Sequence, residues 1–191
     1  RRPLPPDESK LTPAMRQYWE QKRQVPDAIL FYRMGDFYEL FYDDAELGAR
    51  VLGITLTSRD GGTTPLAGIP HHALEGYLAR LVAAGYKVAI SEQIQDPREA
   101  KGVVDRAIAR IVTPGTLTDE GLLDRTRSNV LAAVCQSGDE TGVATLELST
   151  GQLYVQICDD RRLVDELCRI SPAEVLLAEW GEVGRHPPEP D

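Results

Sequence analysis

Apolar and polar positions along the chain fall into two rhythms, one near 3.6 residues and one near 2. Residues 11–24 (LTPAMRQYWEQKRQ) predict a helix, with Thr12 as N-cap and Pro13 at the first helical position, where the missing N–H of proline costs nothing. After Pro26 and Asp27, the short apolar run 28–34 predicts a buried strand, broken by Gly35. Asp36 is placed to cap a second helix reaching about Leu52, with Glu39, Asp43 and Asp44 near its start, where the helix dipole favours acids. A strand at 54–57 leads into a turn or loop at 59–65, RDGGTTP. Leu74, Tyr77, Leu78 and Leu81 share one face of a helix predicted at 73–84, with Gly85 just past its end. Strands follow at 86–93 and 103–113, the second carrying Arg106 and Arg110, with a polar loop at 96–102 between them. Residues 117–129 hold no strong period. Beyond them, strands at 130–135, 142–149 and 152–157 are separated by the turn signals SGDE and STG, and a helix at 161–170 and a strand at 175–178 complete the pattern. The end, RHPPEPD, reads as loop.

This order predicts a mixed α/β (α+β) chain in two parts. Residues 1–118 interleave helices and strands, 119–128 link, and 129–191 begin as an antiparallel meander followed by βαβ. Charge supports the division. The chain of 191 residues has a formal net charge of −9. Residues 1–118 hold 15 Lys and Arg against 15 Asp and Glu, and the remaining residues hold 6 against 15. The whole acidic excess therefore lies in the second part, and a sharp change in charge marks a domain boundary. The neutral first part can still carry a basic face, whereas the second is poorly suited to phosphate.

Other broad features narrow the class. No apolar run approaches the roughly 20 residues that span a membrane. The start, RRPLPP, has neither an initiator Met nor a following apolar core, so it reads as a disordered lead-in or a cut edge rather than a secretory signal. Cys135, Cys158 and Cys168 are odd in number and lack CxxC spacing, which points to reduced thiols in a cytosolic protein, without a disulfide framework or a metal site.

Catalytic constellations are not found. Neither GxxxxGK[ST] nor GxGxxG occurs, so no phosphate-cradling loop is expected. HExxH and GxSxG are missing as well. His71 and His72 are adjacent, so one helix face cannot present both rings to a metal, and a structural or helix-entry role is expected for them. The acids of the second part are scattered over turns and one helix, as on a solvated surface.

The stretch 34–41, MGDFYELF, crowds three aromatic rings around one glutamate. With Asp36 as a helix cap, Phe37 stands at an exposed helix start whose free N–H groups suit a polyanion. Two plainer readings compete. Asp36-x-x-Glu39 is also a capping box, in which Glu39 turns back to the Asp36 N–H. Phe37 could also pack inward with Phe41. Of Phe31 and Tyr32 at least one must be core, and Leu40 and Phe41 fit the buried face of the following helix.

With the preceding LFYR, this stretch resembles the mismatch-recognition motif of the MutS family of DNA mismatch repair proteins. LAGIPHHALEGYL, VAISEQIQDP and RIVTPGT follow in family order and with similar spacing, so the resemblance covers nearly all of residues 11–120 and, less distinctively, the remainder. It implies a mixed-sheet mismatch-recognition domain followed by the start of a connector domain with a ribonuclease-H-like fold. The chain is then expected to be an N-terminal fragment, cut inside its second domain, of a longer cytoplasmic, nucleoid-associated protein. Family proteins continue into lever, clamp and ATPase domains, so this stretch is expected to be no enzyme and to need no cofactor of its own, ATP and Mg serving the full-length protein.

The resemblance also implies roles. Phe37 would wedge between bases of mismatched double-stranded DNA, and Glu39 would hydrogen-bond to the displaced base. A wedge unstacks a base step at a cost of a few kcal/mol, and a mismatched step has already lost part of that energy. Glu39 near phosphates would either hold a proton and donate it, or repel well-paired DNA as a charge. Arg59 and Arg106 match positions of DNA-contacting arginines, with Met34, Asp36, Leu66, Arg110 and Lys101 as further candidates. The loop RDGGTTPLAG is shorter than in some relatives, which loosens the match between Arg59 and Leu66. Expected partners are mismatched DNA, a MutL-type protein through the connector part, and a second copy in full-length form. Two other classes compete: a metal-dependent nuclease of ribonuclease-H-like fold and an acidic protein-interaction module. The first candidate strand of the second part, NVLAAVCQ, holds no acid, which disfavours the nuclease.

Overall fold

The computed structural model describes Ser9 and residues 11–95, 102–117 and 128–177. The lead-in at 1–6, most of the loop at 96–102 with Lys101, the linker at 119–128 apart from Ser128, and the end of the chain from 178 lie outside the described residues. The chain divides into two compact units, Arg1–Thr113 and Pro114–Asp191.

The first unit is built on a six-stranded mixed sheet. Helix α1 (Pro13–Gln24) starts where expected: the Thr12 hydroxyl accepts from the Met15 N–H at 3.4 Å, and proline opens the helix. Strand β1 (Ile29–Met34) follows, also as expected. The next element corrects the sequence reading. Gly35 and Asp36 form a two-residue turn, and 37–41 is not the first turn of a helix but strand β2 (Phe37–Phe41), antiparallel to β1 with Met34 opposite Phe37. Gly35 takes φ +58°, which a glycine reaches without the cost a side chain would bring. Helix α2 begins only at Tyr42 and runs to Leu52. The burial of β2 alternates as a strand requires: Phe37 exposed, Tyr38 buried, Glu39 half-buried, Leu40 buried.

Strand β3 is Thr57–Arg59, three residues beyond the start expected for it. Strand β4 (Thr64–Pro70) was not anticipated, and its residues 66–70 pair with the whole length of β2. Helix α3 (Leu74–Ala83), β5 (Val88–Gln93) and β6 (Arg106–Val112) complete the unit in the sheet order β3-β4-β2-β1-β5-β6. Register and alternation sort the side chains. Leu30, Tyr32, Phe37, Glu39, Phe41, Leu66, Gly68 and Ala89 share one face. Met15, Tyr18 and Trp19 of α1 pack on that face against Leu30, Tyr32, Phe41 and Ala89. Phe31, Tyr38, Leu40, Ile69 and Ile90 line the other face and are buried. There Gly48 of α2 approaches so closely that a Cβ would stand 2.6 Å from Leu40 Cδ2. Phe31 and Tyr32 are both core, on opposite faces.

A buried ion pair ties α1 to α2. Lys22 Nζ lies 2.8 Å from Asp44 Oδ2 and donates to the Ala28 carbonyl, while Asp44 accepts from the Leu30 N–H at 3.0 Å.

The second unit is a four-stranded sheet of order β10-β7-β8-β9. Strands β7 (Val130–Ser137), β8 (Glu140–Glu147) and β9 (Gln152–Asp159) form the expected meander, and α4 (Leu163–Ile170) leads to β10 (Glu174–Leu177), parallel to β7. Its burial is sparse: Leu153, Val155 and Ile157 of β9 and Val164 of α4 are all exposed.

Candidate functional site

The tip of the β1–β2 hairpin gathers the unusual chemistry of the first unit. Phe37, the first residue of β2, is 48% exposed, although the other two phenylalanines of the chain are fully buried. Glu39 follows two residues on, and on a strand that spacing puts both side chains on one face. On the helix expected from the sequence, positions i and i+2 would have pointed apart. The revised secondary structure therefore joins the two residues that the original one separated. It also removes the capping box, since there is no helix start at Asp36 for Glu39 to cap.

Directly opposite Glu39 stand Tyr32 on β1 and Gly68 on β4. Gly68 has no side chain to fill the space. A Cβ there would lie 3.9 Å from Glu39 Cγ and 4.0 Å from Phe37 Cδ1. Glu39 Oε2 is buried and meets no donor among the described residues. Burial pushes the Glu39 carboxyl above its ordinary value, against the weaker pull of the Arg59 and Arg106 charges. A half-buried acid with an unfilled oxygen is the form most ready to hold a proton and offer it as a donor.

The other sequence candidates part company. Met34 faces Phe37 across the turn and packs against the core cluster. Arg59, on the edge strand, holds its guanidinium 5.9 Å from the Phe41 ring centre, on the same face as Glu39. Leu66 is partly buried against the core opposite Phe41 rather than turned outward. Arg106 is tied inward: it lies 5.0 Å over the Tyr32 ring, and it donates to the Arg33 carbonyl at 2.5 Å and the Val104 carbonyl at 2.7 Å. Arg110 leaves the site altogether. In an unbroken strand, arginines four apart share a face, but a register shift opposite Ile90 and Ser91 turns β6 over between them. Arg110 then reaches Glu75 of α3 at 3.4 Å on the far face.

Sequence reading passed over the groups that hold the hairpin. Arg33 donates from Nε to the Gly35 carbonyl at 2.5 Å and stacks 5.4 Å from the Tyr38 ring centre. The Tyr38 hydroxyl bonds to Glu92, and burial with that bond raises the phenol to about 12. The Asp36 carbonyl accepts from both the backbone and the ring of His71. The signal was the position of GIPHH beside MGDF, and it becomes readable only once 64–70 is known to be a strand.

Among the described residues, no three His, Cys, Asp or Glu are grouped to hold a metal ion. In the second unit, β7 holds no acid, and Glu140 and Glu147 stand at opposite ends of β8. A groove of about 310 Å³ between α4 and strands β8 and β9 is lined by Val143, Thr145, Tyr154, Gln156, Arg169 and Ile170. No helix among the described residues is long and apolar enough to cross a membrane.

Comparison with known proteins decides the family. Residues 12–121 match MutS domain I, and residues 129–182 match MutS domain II. The chain belongs to the MutS family. It is 50% identical over 179 residues to the DNA mismatch repair protein MutS of Syntrophomonas wolfei subsp. wolfei, covering 90% of this chain and 21% of that protein. It is 49% identical over 169 residues to the protein of that name from Pelotomaculum thermopropionicum, covering 85% and 20%. The chain thus spans about a fifth of the length of these relatives. Phe37, Glu39 and Gly68 all lie inside the domain I match, while the sparsely buried β9 and α4 lie inside the domain II match.

Proposed function

We propose that this MutS-family chain recognises mismatched or unpaired bases in double-stranded DNA, with Phe37 as the wedge and Glu39 as the hydrogen-bonding partner of the displaced base. The observation that carries the reading is the half-exposed Phe37 ring at a hairpin tip, with Glu39 on the same face two residues along. An apolar ring on a short, well-anchored hairpin suits insertion between base steps from the minor groove. The unstacking energy is smaller where pairing is already broken, so one ring can read many different errors through deformability. Glu39, its proton affinity raised by burial, then donates a hydrogen bond that a charged carboxylate could not. Arg59 is the residue best placed to follow the phosphates.

The second unit serves as a connector that docks a MutL-type protein. In the longer protein, ATP and Mg act in an ATPase domain, and two copies close around the duplex. The test is equilibrium competition at stated low salt between a G·T duplex and its G·C counterpart, since phosphate binding depends steeply on salt. Preference for G·T supports the reading. Equal binding of both duplexes removes it in favour of sequence-independent DNA binding.

A further inference from the structure

We propose that His71 is a positioning residue that locks the turn carrying Phe37, an inference that rests on the mismatch reading above. The Phe37 ring sits at the end of a two-residue turn, where a hairpin is least constrained. Both turn carbonyls are nevertheless occupied. Arg33 Nε donates to the Gly35 carbonyl at 2.5 Å. The Asp36 carbonyl takes two donors from one residue, the His71 N–H at 2.9 Å and His71 Nδ1 at 3.1 Å. A carbonyl can only accept, so Nδ1 carries the proton in this contact.

The topology explains why His71 is the residue in place. Hydrogen-bonded and non-hydrogen-bonded pairs alternate along an antiparallel ladder, so the Phe37–Pro70 pair at the end of β4 needs no N–H toward β2 and tolerates proline. The next pair, Asp36 and His71, carries the bond, and the His71 ring adds a second bond to the same oxygen. His72 braces that ring edge-on, with centroids 5.8 Å apart. The latch fixes the peptide immediately before Phe37, and with it the direction in which the ring leaves the sheet. A wedge held in one direction does not have to be ordered when DNA arrives, so rigidity here appears as preference for the mismatch.

Two variants of the 191-residue chain separate this role from simple packing. His71→Leu keeps bulk and removes the ring donor. His71→Asn restores a donor at the same δ position, one bond from Cγ. In ¹⁵N relaxation without DNA, order parameters at Gly35, Asp36 and Phe37 fall in the Leu variant from about 0.85 toward about 0.6. The G·T over G·C preference falls by about ten-fold, the size of one hydrogen bond, while the melting temperature moves little. The Asn variant recovers both. A turn as rigid in His71→Leu as in the parent chain, or an Asn variant as impaired as Leu, overturns the proposal. If the parent chain shows no G·T preference, the mismatch reading falls, and the relaxation data alone still decide whether His71 locks the turn.

Discussion

Glu39 and Gly68 stand directly opposite each other on β2 and β4, and the missing side chain of the glycine leaves the flank of the carboxyl and the Phe37 ring open. The gap is wide enough for a methyl group at ordinary contact distances, 3.5 Å or more from every neighbour. Gly68 is outside the left-handed region of backbone space, so nothing in the conformation demands glycine there. On the mismatch reading, a side chain at Gly68 would intrude on DNA bound beside the ring. Gly68→Ala should melt as the parent chain does and bind G·T duplex more weakly. Differential scanning calorimetry and anisotropy titration on the same sample read the two effects.

Glu39 gives a pH prediction with a definite sign. Burial raises its carboxyl above the ordinary value near 4.5, so the folded state holds the proton more tightly than the unfolded chain does. The stability from that proton is complete below the ordinary value and is lost as pH rises through the raised one. Glu39→Gln, which never carries the charge, should be more stable than the parent chain at pH 7. The difference should shrink as pH falls through the raised value and be gone below about 4.5, the range of an unperturbed Glu. Thermal melts of both proteins from pH 4 to pH 7 test this, and a gap independent of pH contradicts it.

The same substitution separates donor from charge on DNA. Glu39→Gln keeps an N–H donor and loses the repulsion, so it should bind both duplexes as well as or better than the parent, with lower discrimination. Glu39→Ala should bind mismatches less well than the Gln variant. Competition titrations of the three proteins against G·T and G·C duplexes read the order directly.

The two arginines on the sheet edges should differ in salt dependence. Arg106 is spent on the Arg33 and Val104 carbonyls and the Tyr32 ring. Arg106→Ala should therefore lower the melting temperature and leave the slope of log K against log salt unchanged. Arg59→Ala should do the reverse, reducing that slope by about 0.9, the loss of one phosphate contact.

Lys22 and Asp44 predict a pure stability effect. Lys22→Met strands a buried carboxylate and should cost about 3–5 kcal/mol. Adding Asp44→Asn removes the charge while keeping an acceptor for the Leu30 N–H, and should recover most of the loss. Chemical denaturation of the single and double variants measures both.

How far the sequence led depended on how local the signal was. Thr12 and Pro13 placed α1, because capping is decided within one turn of helix. The hairpin was missed because Gly35-Asp36 reads equally as a strand break followed by a helix cap, and only pairing with β1 and β4 selects the turn. Strand β4 was missed for a related reason: LAGIP is short and carries both a glycine and a proline, and its strand state comes from the length of β2 beside it. Phe37 and Glu39 were legible as chemistry in their motif, but their shared face depends on a strand period that the helix reading had replaced. That Arg110 faces away from Arg106 was not legible, because nothing in RAIARIV announces a bulge.

The measurement that reaches the central claim most directly is the effect of Phe37→Ala on the ratio of G·T to G·C affinity, with a melt of the same sample. Stacking of a ring on a base is worth about 1–3 kcal/mol, so most of the preference should vanish. The exposed ring contributes little to the core, so the melting temperature should stay near that of the parent chain. A variant that unfolds, as loss of a buried Phe costing about 3–5 kcal/mol would cause, or one that keeps its preference, would contradict the account.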